Sequence, residues 1–312
     1  MDAWDIELVV VMGTVLDGGE LRSLSRDVER GLRRRLLPGV YVDRARFDAL
    51  PPRQQHLVRM LAFAATCDEP PVFSHWSAAV AHDLPFLGDR LATVHTTTQR
   101  RSGRSRVGLS AHLLPLPASE VTEVHGLLVT GPARTVVDIA CAAPFDDGLV
   151  LADAALHARL VRSKAELHEA LAATAARKGS VRAQEVIDFA DGDAESPGES
   201  VGRHTMFRLG VERPVLQWTI RSVEGVLVAR LDFHFPSVNV GAEFDGRIKY
   251  FDPRYTGDAV NEVLYREKRR EDEARSYLAG LARFGWREAG SAHLLGPVLA
   301  RAGVRPHRFV LL

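Results

Sequence analysis

Read by its pattern of apolar and polar positions, the chain falls into three regions. In the first, Ile6 to Met12 is apolar enough for a buried helix, Asp17-Gly18-Gly19 reads as a turn, and Glu20 to Leu24 as a short helix. Ser25 is a good N-cap for a further helix running to about Leu36. Pro38-Gly39 then turns the chain before the strand-like Val40-Tyr41-Val42. The second region opens with Pro51-Pro52 and mixes types. Helices are expected over Gln54 to Thr66, Ala78 to His82, Pro132 to Ala142 and Asp147 to His157, and strands over Ala92 to Thr96 and Leu127 to Val129. The stretch from Asp191 to Gly198 is polar, holds Gly and Pro, and reads as a linker.

In the third region the period becomes two. A helix is expected from Glu199 to about Leu209, with strands over Val215 to Ile220, Val226 to Phe235 and Val238 to Asp245. Along the second strand, Leu227, Ala229, Leu231, Phe233 and Phe235 form an apolar face, and Arg230, Asp232 and His234 the opposite one. Along the third, Val238, Val240, Ala242 and Phe244 oppose Asn239, Glu243 and Asp245. Gly246 breaks the strand; a long helix over roughly Ala259 to Arg283 and a last short strand from Gly285-Trp286-Arg287 complete the expectation.

Composition sharpens this only locally. At 312 residues two or three domains are expected, and 46% hydrophobic with 26% charged residues excludes a disordered chain. Lys plus Arg and Asp plus Glu both number 40, so net charge gives no support to nucleic-acid binding. A local patch does. Arg26, Arg30, Arg33 and Arg34 recur at i, i+4, i+7 and i+8 and share one face of the expected helix, while Val28 and Leu32 fall on another. Cations for phosphate with an apolar side toward the domain is what a recognition helix needs. Helix, turn, helix and tight hairpin is the order of a winged helix-turn-helix. Arg100, Arg101, Arg104 and Arg106 add a second basic stretch.

Cys67 and Cys141 fit neither a disulfide framework nor a zinc site and suit a reducing compartment. His75, His82, His95, His112 and His125 share no metal-ligand spacing and read as structural histidines. No window approaches the roughly 20 apolar residues of a membrane span, and a cytoplasmic location is expected.

The third region holds the strongest chemical pattern. Period two sets Glu243 beside Asp245, and a turn at Pro236-Ser237 brings Asp232 near them. Carboxylates sharing a face resist charging unless a cation relieves them, and hard oxygen ligands suit magnesium, or manganese. Such a metal activates water for phosphodiester hydrolysis. Glu199-Ser200-Val201-Gly202-Arg203, Leu231-Asp232 and Glu243-Phe244-Asp245-Gly246-Arg247-Ile248-Lys249 resemble the core of the PD-(D/E)xK nucleases, in the branch related to very-short-patch repair endonucleases. The resemblance covers about residues 195 to 290. It implies Asp232, Glu243 and Asp245 as metal ligands and Glu199 as an assisting group. Asp245 stands where the family has lysine, and Lys249 is the residue that would supply the missing cation; Arg247 and Lys268 are alternatives. More weakly, the expected arginine-rich helix, Leu36-Leu37-Pro38-Gly39-Val40-Tyr41, Ser74-His75-Trp76-Ser77-Ala78-Ala79 and Thr130-Gly131-Pro132-Ala133-Arg134-Thr135-Val136-Val137-Asp138 resemble the antitoxins of abortive-infection toxin–antitoxin systems.

The expected architecture is therefore a winged helix over 1–50, a middle α+β domain over 51–191, and a restriction-endonuclease-like α/β domain with a mixed sheet over 195–312. The expected function is a DNA-binding, magnesium- or manganese-dependent endonuclease. The alternative is a non-catalytic regulator or antitoxin with a degenerate nuclease fold and a cognate toxin as partner. No membrane partner is expected.

Overall fold

The computed structural model describes residues 3, 6–10, 18–99, 108–174, 177–246 and 275–306. The chain divides into two compact units, Met1–Leu151 with Arg159–Asp188, and Ala152–Ala158 with Phe189–Leu312. It is a mixed α/β protein, with three sheets among the described residues.

The first unit begins with β1 (Val9–Val10), α1 (Gly18–Glu29), β2 (Arg33–Leu37), β3 (Val40–Asp43) and α2 (Arg44–Asp48). Their antiparallel sheet has the order β1-β3-β2. Two expectations are corrected here. Val9 and Val10 pair with Tyr41 and Val40 as a strand, not within a helix. The Ser25-capped helix to Leu36 does not exist: α1 starts at Gly18 and stops at Glu29, and Arg33 to Leu37 are extended. The cause is Gly31, at φ +71°. The Leu32 N–H reaches back to the Asp27 carbonyl at 2.8 Å and the Gly31 N–H to Val28 at 3.0 Å, the pair of bonds that closes a helix on a left-handed glycine. Ala3, Ile6, Val42, Phe47, Leu50 and, from the next helix, Val58 bury this part.

α3 (Pro52–Ala64) follows, with proline at its first position, where no N–H is needed. A five-stranded sheet is then built from β4 (Val72–Phe73), β5 (Val94–Thr98), β6 (Leu109–Leu113), β7 (Val121–Val124) and β8 (Leu127–Thr130), in the order β6-β5-β4-β8-β7. β5 and β6 are parallel, as are β4 and β8, while β4–β5 and β7–β8 are antiparallel. Further helices among the described residues are α4 (His75–Ala81), α5 (Pro132–Ala142), α6 (Phe145–His157), whose end belongs to the second unit, α7 (Lys164–Ala173) and α8 (Ser180–Phe189). Met60 and Phe63 of α3, Ala78 of α4, and Phe73, Val94, Leu127 and Val129 of the sheet form one core.

The second unit carries α9 (Pro197–Arg208), β9 (Val215–Arg221), β10 (Leu227–Phe235), β11 (Val240–Phe244), β12 (Gly280–Phe284), α10 (Trp286–Ala289) and α11 (Ala292–Ala302). Its sheet has the order β12-β11-β10-β9, with only β11–β12 parallel. The expected helix to Arg283 and strand from Gly285 are exchanged: Gly280 to Phe284 pair with Val240 to Phe244, and Trp286 opens a helix. The earlier part of that expected helix, to residue 274, lies outside the described residues.

Strict alternation also fails within β10. Leu231 joins Ile220 and Ala229, with Leu278 and Leu281 against them, whereas Phe233 lies against Phe284, centroids 5.8 Å apart and rings tilted. Two residues apart, they leave the strand toward different partners. Asp232 sits at the interruption, and Gln217 on β9 has φ +49°.

Candidate functional site

The arginines expected on one helical face are distributed by the fold. Arg26 is in α1, Arg30 is in the turn that closes it, and Arg33 and Arg34 are in β2. Arg34 is paired with Asp48 and lies over the Phe47 ring, 5.5 Å from its centroid. The exposed face of α1 is instead Arg22, Ser25, Arg26 and Glu29, which line a shallow open depression. Arg22 was not anticipated; it lies one turn before Arg26 and shares its face.

A second constellation joins histidines scattered in sequence. β5 contributes His95, β6 His112, and the start of α4 His75, whose φ is +50°. The His75 and His112 rings stack with centroids 3.5 Å apart, and His95 lies 5.3 Å from His112. His95 Nδ1 and His112 Nε2 are 3.0 Å apart, so one ring donates and the other accepts. From α5, Arg134 donates to Asp138 Oδ1 at 2.9 Å, and Arg177 donates to the same oxygen at 2.5 Å. Arg134 also pairs with Glu120. Asp138 Oδ2 is buried without a hydrogen bond, 4.0 Å from His75 Nδ1.

This cluster is built to stay neutral. Burial, then the neighbouring His112, His95 and arginines, lowers the His75 pKa to about 2. Burial and His112 lower that of His95 to about 4. His56 on α3 follows the same rule: burial lowers it to about 4. Its Nδ1–H donates to the Leu91 carbonyl at 3.0 Å, which leaves Nε2 of the neutral ring to accept from Ser77 Oγ at 2.9 Å. Sequence spacing alone could not find this group, because its members come from two strands, two helices and a connection. The motif pieces Ser74-His75 and Arg134 to Asp138 were its only local signal.

In the second unit Glu199, Asp232 and Glu243 each have a partner within the protein. Glu199 sits in the first turn of α9: Oε1 accepts from Ser196 Oγ at 2.7 Å, and Oε2 accepts from the Glu195 N–H at 3.0 Å and Gln217 Nε2 at 2.9 Å. It is a helix-capping group. Asp232 Oδ2 accepts the Phe244 N–H at 2.7 Å. Glu243 is paired with Arg283 across the parallel strand at 2.9 Å. Asp245 lies past the end of β11, its N–H donating to the Phe284 carbonyl at 2.8 Å. The charge of Glu243 is met by a guanidinium and that of Asp232 by a backbone donor. Among the described residues no group of three or more His, Cys, Asp or Glu side chains is arranged to hold a metal ion. Lys249, Arg247 and Lys268 lie outside the described residues. Among the described residues no helix is long and apolar enough to cross a membrane.

Known proteins resemble part of this chain. Two from Mycobacterium tuberculosis, uncharacterized protein MT2308 of strain CDC 1551 / Oshkosh and uncharacterized protein Rv2248 of strain ATCC 25618 / H37Rv, are each 37% identical to it over 143 residues, 46% of this chain and 51% of theirs. The chain thus spans about half the length of the curated relatives it matches. The histidine–aspartate–arginine cluster falls wholly within a stretch, residues 68–189, that matches the family model described as the AbiEi antitoxin C-terminal domain.

Proposed function

We propose that the chain is an antitoxin-type regulator that binds duplex DNA through its N-terminal residues and a cognate toxin protein as its partner. The observation that carries the reading is the match of residues 68–189 to the AbiEi antitoxin domain. The DNA-binding part rests on geometry. The sheet order β1-β3-β2, with α1 between the first two strands and the β2–β3 hairpin after it, agrees with a winged helix. The exposed Arg22, Arg26 and Arg30 suit a phosphate backbone. We carry the division at 1–50, 51–191 and 195–312 as part of this proposal, with DNA binding in the first segment.

The test has two arms. Expressing the reading frame adjacent to this one should arrest growth, and co-expressing the full chain should restore it. In anisotropy titrations with the duplex upstream of its own reading frame, Arg22→Ala with Arg26→Ala should weaken affinity and flatten the salt dependence by roughly two released counterions. Failure of rescue removes the antitoxin role; an unchanged salt slope in the folded variant removes α1 from the DNA interface.

A further inference from the structure

Arg22, Ser25, Arg26 and Glu29 are all exposed and line one depression on α1. At about 100° per residue they fall within an arc of roughly 100° on the helix. Glu29 lies between Ser25 and Arg26 on that arc. Among the described residues no ion pair joins it to Arg22 or Arg26; Arg26 Nε donates to the Arg22 carbonyl at 3.3 Å. A surface that only gripped phosphate would be weakened by a carboxylate on the same face as its arginines, because the two anions repel. A carboxylate is favourable on such a face where it meets base edges, accepting from the cytosine N4 amino group while arginine donates to guanine O6 and N7. The dimensions agree: Arg22 to Glu29 spans about 10 Å along the helix at about 1.5 Å per residue, roughly three base-pair steps, and the helix enters a groove about 12 Å wide.

We infer that Glu29 is a specificity-determining residue which, with Arg22 and Arg26, reads G·C base pairs in the major groove. This rests on the DNA-binding reading above and goes beyond it by separating recognition from affinity. Glu29 lowers binding to wrong sequences and contributes at the right one.

The experiment selects duplexes from a randomised pool with the full chain. Affinity for a selected duplex and for a shuffled duplex of the same composition is then measured at about 50 mM and about 200 mM salt. The wild type should prefer a selected duplex containing G·C pairs by tenfold or more. Glu29→Ala, and the isosteric Glu29→Gln as a check on folding, should reduce that ratio by roughly tenfold, the scale of one lost base contact. Both should bind the shuffled duplex as well as or better than the wild type. Arg22→Ala should weaken both duplexes. An unchanged ratio in Glu29→Ala, or equal weakening on both duplexes, overturns the inference and leaves DNA binding standing. So does a wild type that binds all duplexes alike. A wild type that binds no duplex even at the lower salt removes the DNA-binding reading itself, and this inference with it.

Discussion

The imidazoles of His75 and His112 stack face to face, centroids 3.5 Å apart and planes within 13° of parallel, in a cluster that Arg134 and Arg177 help keep uncharged. Both rings come from elements that pack only in the folded first unit, so their neutrality is a property of the fold. In the unfolded chain each histidine returns to its ordinary value near 6.5.

That difference fixes a pH dependence. The folded values of His75, His95 and His56 are depressed to about 2, about 4 and about 4. Between about pH 6.5 and 4 the unfolded state therefore binds more protons than the native one, and stability falls as pH falls through that window. Urea midpoints should be highest at pH 7.5 and drop at pH 6 and again at pH 5. A His56→Gln, His95→Gln variant, even if less stable at pH 7.5, should lose less over the same interval. Parallel curves for variant and wild type would show that carboxylates alone carry the acid sensitivity.

A second prediction comes from how α9 lies on its sheet. A Cβ added at Gly198 would come within 2.0 Å of the Phe244 ring, and one at Gly202 within 2.7 Å of the Phe284 ring. The two glycines are one turn apart, so both open the same face of α9 to aromatic rings. Gly198→Ala should cost about 1–3 kcal/mol through overpacking, despite alanine's better helix propensity. Phe244→Leu in the same chain should return part of that loss, seen as a negative coupling in a double-mutant cycle. Additive losses would mean that the ring moves aside freely.

Much of this fold is legible in the sequence where local chemistry dominates. The stretches Gln54 to Thr66 and Pro132 to Ala142 announced α3 and α5, and the alternating stretches around 215–244 announced β9, β10 and β11. The misreading of α1 came from weighing Ser25 as a cap and the arginine spacing as a face over Gly31. That glycine, followed by Leu32, was a helix stop in plain view. Gly280 to Phe284 read as a helix end because a parallel strand declares itself through its partner, here Val240 to Phe244, and not through its own pattern.

The candidate sites were less legible for the same reason. The turn at Pro236-Ser237 was expected to bring Asp232 near Glu243 and Asp245, but the alternation breaks at Asp232 itself, and Arg283, invisible to local pattern, takes Glu243. The histidine cluster depends wholly on which strands become neighbours.

Asp232 offers a test between a structural and a metal-ligating carboxylate. As an acceptor for the Phe244 N–H at 2.7 Å, it should be replaceable by asparagine at modest cost, since the amide oxygen still accepts. Asp232→Ala leaves that N–H without its partner and should cost about 1–3 kcal/mol. Neither change should alter the response of the melting midpoint to magnesium, manganese or a chelator. A midpoint raised by metal in the wild type and unmoved in Asp232→Asn would return Asp232 to the role of ligand.

The last prediction concerns Arg203 and Asp153, a pair 2.8 Å apart with side chains only 3% and 1% exposed. Arg203 also donates to the Phe189 carbonyl at 2.8 Å and lies over the Phe189 ring at 4.5 Å. Asp153 Oδ1 accepts the Asp191 N–H at 2.7 Å, so the pair fixes the start of the second unit's longer segment to the end of α6. Burial pushes the Asp153 carboxyl up and Arg203 pulls it back. Removing the cation alone leaves a buried carboxylate uncompensated, so Arg203→Met should cost about 3–5 kcal/mol at neutral pH. With the carboxyl raised further in that variant, its native state takes up a proton more readily than the unfolded chain does. The gap to wild type should therefore narrow as pH falls. Replacing both partners, Arg203→Met with Asp153→Leu, removes the buried charge as well and should recover most of the loss. If the double variant is as unstable as the single one at every pH, the pair's worth lies in the hydrogen bonds to Phe189 and Asp191. The electrostatic account would then be wrong.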